Sequence, residues 1–264
     1  MENKQKNLIK IGNEISFTNT GIDYNFVNGM FYTVSYDAYD KGLTLSEAPS
    51  MSMPENMYIT ESDETFTNRI LDYFNDVTDE TVGVLFSGIK GSGKTVMAKY
   101  VALKSNLPII IIDKSIPAYV LKELFRNLSE KNVAFIFDEI DKLGERYDDT
   151  YLLQILDGAN SVTGKRLVLF TANKSDDISE YMIDRCSRIR YHRKYDSMNP
   201  STVMAMLDNI LEDKSEIKPL TDFIIEKFSV ISFDNVAAFA KDVNRYPNST
   251  FEDLLKDMNI TTKE

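Results

Sequence analysis

The chain has 264 residues, 43% of them apolar and 27% charged, which fits a globular protein large enough for one α/β domain and a smaller companion. One cysteine, Cys186, and one histidine, His192, exclude an internal disulfide, a Cys/His zinc cluster and any site that needs two imidazoles. Forty-one acidic against thirty basic residues leave a net charge of −11, which opposes non-specific attachment to nucleic acid or an anionic membrane. The longest apolar run, 107–112, falls far short of the roughly 18 residues of a spanning helix, and the polar start MENKQKN does not read as a signal peptide, so a cytoplasmic protein without membrane contact is expected.

In chain order, residues 1–54 read as a small β-containing extension: a strand from Met30 to Tyr36 turns over 37–42 and returns through 43–45, and 46–54 is a linker. Phe66, Ile70, Leu71 and Phe74 form the stripe of an amphipathic helix and open the main domain, 55–195. Apolar runs at 82–86, 107–112, 133–137, 167–170 and 189–191 alternate with helical stretches, the pattern of a parallel sheet covered on both faces. From 196 to 264 the stripes are helical only, at Met204, Met206, Leu207, Ile210 and Leu211 and then at Phe223, Ile224, Ile225 and Phe228. This reads as an all-helical lid. Its thirteen acidic and seven basic residues favour protein partners over nucleic acid.

Directly after the first strand of the main domain stands Gly88-Ile89-Lys90-Gly91-Ser92-Gly93-Lys94-Thr95, which matches G-x-x-x-x-G-K-[ST] and leads into a helical stretch beginning at Val96. Glycines let backbone N–H groups converge on phosphate oxygens, and a helix N-terminus adds partial positive charge. The expected cradle is Gly88, Lys90, Gly91, Ser92, Gly93, Lys94, Thr95 and Val96, with Lys94 on the β and γ phosphates of ATP and Thr95 on Mg²⁺. Chance produces such a match in about 1% of chains of this length, and the strand before and helix after lower that figure.

The third strand ends in Asp138-Glu139, two carboxylates at the end of the sheet where ligands of open α/β folds sit. Asp138 is expected in the Mg²⁺ shell and Glu139 beside the attacking water, with Asp141 as the next candidate base. The fourth strand ends in Leu169-Phe170-Thr171-Ala172-Asn173. Asn173 there can hydrogen-bond the γ phosphate and the water, although Asn at a strand end is equally a turn residue.

With GIKGSGKT, FIFDEID and LFTAN in this order, followed by Ile183-Asp184-Arg185-Cys186-Ser187-Arg188-Ile189-Arg190-Tyr191, the chain over 60–264 resembles the AAA+ ATPases. That resemblance implies a five-stranded parallel sheet in the order 5-1-4-3-2, a helical lid and a ring, usually a hexamer. It also implies that Arg185 and Arg188 reach into a neighbouring subunit's ATP site as arginine fingers. LLQILDGANS and RCSRIRYH look most like phage-encoded AAA proteins and are similar to the mitochondrial Rieske-protein translocase group, while Arg185-Cys186 partly resembles clamp loaders.

Two departures bear on function. Only about twenty residues, 113–132, fill the interval where threading members place an aromatic pore loop; Tyr119-Val120 fits a pore-loop remnant less well than helix packing around Leu121, Leu124 and Phe125. The lid stretch 232–237 holds no nucleotide-sensing arginine, and Arg245, about two turns on, reads as a surface residue. Arg188, Arg190 and His192 share one strand face, with Arg193 and Lys194 after them, an arrangement that suits a subunit interface or a nucleic-acid groove. The leading expectation is a ring-forming ATPase that remodels a protein client. The rivals are a clamp-loader or helicase-loader switch on a replication assembly, and a structural protein that uses ATP as assembly glue.

Overall fold

The computed structural model describes residues 7–18, 24–37, 42–51, 53, 58–78, 80–113, 116–142, 164–173 and 188–263. The chain divides into two compact units, the first made of 1–57, 61–87 and 95–194, the second of 58–60, 88–94 and 195–264.

The first unit is built on one sheet. Its strands are β1 (Asn7–Ile11), β2 (Glu14–Thr18), β3 (Phe31–Asp37), β4 (Gly42–Glu47), β5 (Thr81–Gly88), β6 (Ile109–Ile112), β7 (Val133–Phe137), β8 (Arg166–Ala172) and β9 (Ile189–Tyr195). The expected five-stranded sheet is instead a nine-stranded one, ordered β1-β2-β4-β3-β6-β7-β8-β5-β9. The run β9-β5-β8-β7-β6 carries the order 5-1-4-3-2, and the correction lies at its far edge, where β3 pairs with β6 in parallel through Phe31↔Ile109, Tyr32↔Ile110 and Thr33↔Ile111. The physical reason is in β3 itself: Phe31, Tyr32 and Val34 are buried, and four consecutive isoleucines in β6 offer a matching apolar neighbour. β1 and β2 form a hairpin across Gly12-Asn13, with Gly12 at φ +63°, a turn of the kind that two-residue hairpins need.

Every residue of β5, β7 and β8 is buried, as strands covered on both faces require. Phe125 of α3 (Ala118–Asn127) stacks on Phe135 at 4.4 Å, and Phe137 on Phe170 at 5.3 Å. Helix α1 (Glu61–Asp76) buries Thr67, Ile70 and Phe74, and its buried Asp63 pairs with Arg193 of β9 at 3.0 Å. Helix α2 (Lys94–Lys104) follows the loop after β5. Tyr119 of α3 faces outward, 63% exposed and edge-on to Tyr36 of β3, while Val120, Leu121, Leu124 and Phe125 fill the core. The expected packing of Tyr119 onto its own helix is therefore corrected.

In the second unit, α4 (Pro200–Ile210), α5 (Ile217–Lys227), α6 (Phe233–Arg245) and α7 (Phe251–Asp257) bury Leu207, Leu220, Ile224, Phe228 and Phe239. Asn199, Ser232 and Thr250 cap α4, α6 and α7, each side chain accepting a backbone N–H of the first turn. Among the described residues no helix is long and apolar enough to cross a membrane.

Candidate active site

Parallel pairing brings the carboxyl ends of β5, β7 and β8 to one edge, with Phe137 opposite Phe170 and Ser87 opposite Ala172. The residues that follow these positions form a continuous hydrogen-bond chain. Thr95 Oγ1, one residue into α2, donates to Asp138 Oδ1 at 2.7 Å, and Thr171 Oγ1 donates to the same oxygen at 2.6 Å. The Glu139 N–H donates to Thr171 Oγ1 at 2.9 Å, and Asn173 Nδ2 donates to Glu139 Oε1 at 3.3 Å. Glu139 takes φ +54°, a left-handed conformation that costs a non-glycine residue about 1–2 kcal/mol. The bond to Thr171 helps hold it there.

The other oxygen of Glu139 is also engaged. Lys142 Nζ lies 2.5 Å from Glu139 Oε2, and the Lys142 N–H donates to the Glu139 carbonyl at 3.0 Å, closing a short 3-10 turn (Ile140–Lys142). The neighbouring carboxylates, Glu139 first, raise the Lys142 amine above its ordinary pKa.

The loop 88–94 has glycines at φ +132° (Gly88), +72° (Gly91) and +84° (Gly93). Lys94, buried at 7% exposure, donates to the carbonyls of Gly88 at 3.0 Å and Ile89 at 2.6 Å, and Ser92 Oγ donates to the Ile89 carbonyl at 2.8 Å. These bonds curl the loop around the lysine. The Ile89 N–H donates to the Tyr195 carbonyl at 3.1 Å, and the Asp234 N–H, in the first turn of α6, donates to the Gly91 carbonyl at 3.1 Å. A Cβ on Gly88 would lie 2.0 Å from the Tyr195 oxygen, and one on Gly91 would lie 2.8 Å from the Asp234 carboxylate. The lid stretch 232–237, which holds no arginine, thus sets an acid, Asp234, beside the loop.

The donor set fits a magnesium nucleotide. Among the described residues no group of three His, Cys, Asp or Glu is placed to hold a metal. One carboxylate and one hydroxyl, Asp138 and Thr95, are hard oxygens of the kind that bind Mg²⁺ together with substrate phosphates.

The model of the ATPase family associated with various cellular activities (AAA) matches residues 84–194. An AAA domain therefore occupies residues 84–194 of the chain. A comparison with curated proteins finds no match. The AAA domain runs from within β5 to the end of β9 and contains the loop, Asp138, Glu139, Asn173 and Arg188. It accounts for the P-loop α/β architecture of this half of the sheet, and its family is one of nucleotide-binding ATPases.

Of the residues singled out from the AAA domain's sequence, Thr95, Asp138, Glu139 and Asn173 meet in one hydrogen-bonded cluster. Arg188 precedes β9 and is buried in its own chain at 8% exposure, while Arg185 lies outside the described residues, as does LLQILDGANS. Burial alternates along β9, with Arg190, His192 and Lys194 at the exposed positions. Arg190 stacks on Tyr73 at 3.4 Å, His192 Nε2 meets Ser87 Oγ at 2.7 Å, and Arg193 is paired with Asp63, because α1 and β5 flank this strand with aromatic and acidic partners. Burial, and then Lys194, push the His192 pKa down.

Two residues escape the sequence reading. Thr171 sits one place beyond Phe170, in register with Phe137, so it falls beside Asp138; that signal needs the strand register. Lys142 is three residues after Glu139, a spacing legible once a helical turn is assigned there.

Proposed function

We propose that the chain is a Mg²⁺-dependent ATPase that works as a homo-oligomeric ring, six subunits being the family's usual number, and remodels a protein client in the cytoplasm. The observation that carries the ATPase reading is the chain of bonds from Thr95 through Asp138 and Thr171 to Glu139. It ties the residue after the phosphate loop to the residue that serves as base. Gly88, Lys90, Gly91, Ser92, Gly93, Lys94 and Val96 hold the phosphates; Thr95 and Asp138 hold Mg²⁺, which supplies charge neutralisation on the phosphate oxygens when bound. Asn173 orients a water, and Glu139 accepts its proton as the oxygen attacks the γ phosphorus and the bond to the β-phosphate oxygen breaks, leaving ADP and phosphate.

The ring reading rests on Arg185 and Arg188 as trans-acting fingers. Arg185 is the preferred finger, because Arg188 is buried within its own subunit. The protein client is favoured over nucleic acid by the acidic balance of 196–264 and by the engagement of Arg190, His192 and Arg193 within the chain. A replication-assembly switch or ATP used purely as glue would show DNA-stimulated turnover or nucleotide-dependent assembly without turnover.

Two variants test the site. Lys94→Ala should remove ATP binding with the fold kept, and Glu139→Gln should bind ATP but hydrolyse it at least ~100-fold more slowly, the lower range for loss of a general base. Both are read by nucleotide titration and phosphate release. Unchanged affinity in the first, or near-normal turnover in the second, overturns the assignment. Affinity capture with Glu139→Gln, which holds the ATP state, then identifies the client.

A further inference from the structure

The base proposed above has both carboxylate oxygens engaged: Oε1 by Asn173 at 3.3 Å and Oε2 by Lys142 at 2.5 Å. A carboxylate that must take a proton from water needs an open lone pair aimed at that water, and a hydrogen-bonded ammonium on one oxygen lowers its basicity. The two contacts differ in kind. Asn173 directly follows the fully buried β8, and its bond to Oε1 is the longer of the two. Lys142 is a flexible side chain, 44% exposed, at the end of a three-residue turn.

We infer that Lys142 is a positioning residue that restrains Glu139 between turnovers, so that the base becomes competent only when the Lys142 ammonium leaves Oε2. The inference rests on Glu139 being the base. The turn Ile140–Lys142 makes the arrangement local: its backbone closes on the Glu139 carbonyl, which keeps the amine within reach of the Glu139 carboxylate. Among the described residues the other charged groups acting on the amine are Asp138 and Asp141, both more weakly than Glu139. From β8 the neighbours are Thr171 and Asn173, which carry no charge. An exposed pair of this kind is weak, which suits a restraint that has to release in each cycle.

The test is Lys142→Met, which keeps the length of the side chain and removes the charge, beside Lys142→Arg, which keeps the charge. The full chain is measured at saturating and limiting Mg-ATP. A restraint predicts that kcat rises about threefold in Lys142→Met with KM for ATP unchanged, and that Lys142→Arg stays at the wild-type rate. In Lys142→Met/Glu139→Gln the gain should vanish, because no base is left to release. A second readout needs no nucleotide: acylation of the Lys142 amine by an N-hydroxysuccinimide ester, followed by peptide mass spectrometry, should speed up severalfold in Glu139→Gln. An unchanged or lower kcat in Lys142→Met, or unchanged labelling of Lys142 in Glu139→Gln, overturns the restraint. Full activity of Glu139→Gln alone would instead overturn the base assignment, so the two failures are distinct.

Discussion

Replacing Thr171 by valine removes one hydroxyl and keeps the shape of a side chain that is 1% exposed. That hydroxyl makes two bonds, donating to Asp138 Oδ1 and accepting from the Glu139 N–H. Asp138 keeps the Thr95 hydroxyl, so its loss is partial. The Glu139 N–H loses its acceptor, and leaving such a partly buried donor unpaired costs about 1–3 kcal/mol. Urea unfolding should show this loss. For catalysis, the strain of a left-handed Glu139, about 1–2 kcal/mol, is no longer offset by a bond contributing about 1 kcal/mol. At 1.36 kcal/mol per factor of ten, the productive conformer falls about fivefold. Steady-state phosphate release should therefore show kcat reduced about fivefold or more with KM for ATP within a factor of two, and Thr171→Ser should recover most of it. A folded Thr171→Val protein with wild-type kcat, or a Thr171→Ser as slow as the valine variant, would refute the reasoning.

Gly88→Ala should destabilise the protein by more than about 2 kcal/mol in urea unfolding, because φ +132° is a region open essentially to glycine and the new Cβ meets the Tyr195 backbone, which no rotamer change can move. Gly93→Ala, whose Cβ would meet only the Phe233 ring at 3.9 Å, should cost less; equal losses would show that the approach of Tyr195 is not the cause. Arg185→Ala should bind ATP and hydrolyse it about 10³-fold more slowly, the lower range for a finger supplied in trans. Mixing it with Lys94→Ala subunits should restore part of the activity, and turnover per protomer should rise with concentration. Monomeric, concentration-independent turnover without complementation would count against the ring.

The phosphate loop, the acidic pair and the alternating strands of the AAA domain were legible because each is written in contiguous residues: glycines at fixed spacing, a buried run that ends in acids, apolar runs separated by helical stripes. What was illegible depends on pairing between distant segments. The stretch Asn7–Thr18 reads as mixed polar and apolar, and its hairpin rests on Gly12-Asn13, a short turn signal that the apolar pattern does not flag. The joining of β3 to β6 is a choice of sheet edge that no local pattern encodes. Thr171 gains its place from the alignment of β7 with β8, and Arg190 from the proximity of Tyr73, 117 positions earlier in the chain. Exposure of Tyr119 was misread for a related reason. Helical spacing identified the buried face of α3 through Leu121, Leu124 and Phe125, but the aromatic that meets Tyr119 comes from β3.

The annexation of β3 to the AAA sheet changes which strand forms its border. Without it, β6 would present Ile109, Ile110, Ile111 and Ile112 as an open rim, a short, uncharged, strongly β-forming segment of the type that recruits other chains into aggregates. Pairing with β3 seals that rim, and the meander through β4 and β2 carries the border outward to β1, where Lys10, held to Glu47 of β4, interrupts the apolar alternation. Strands β1 to β4 therefore act as a selvedge for the ATPase sheet. Shortening the chain from its amino end would expose the isoleucine strand, and colloidal stability would suffer before any step of nucleotide chemistry did.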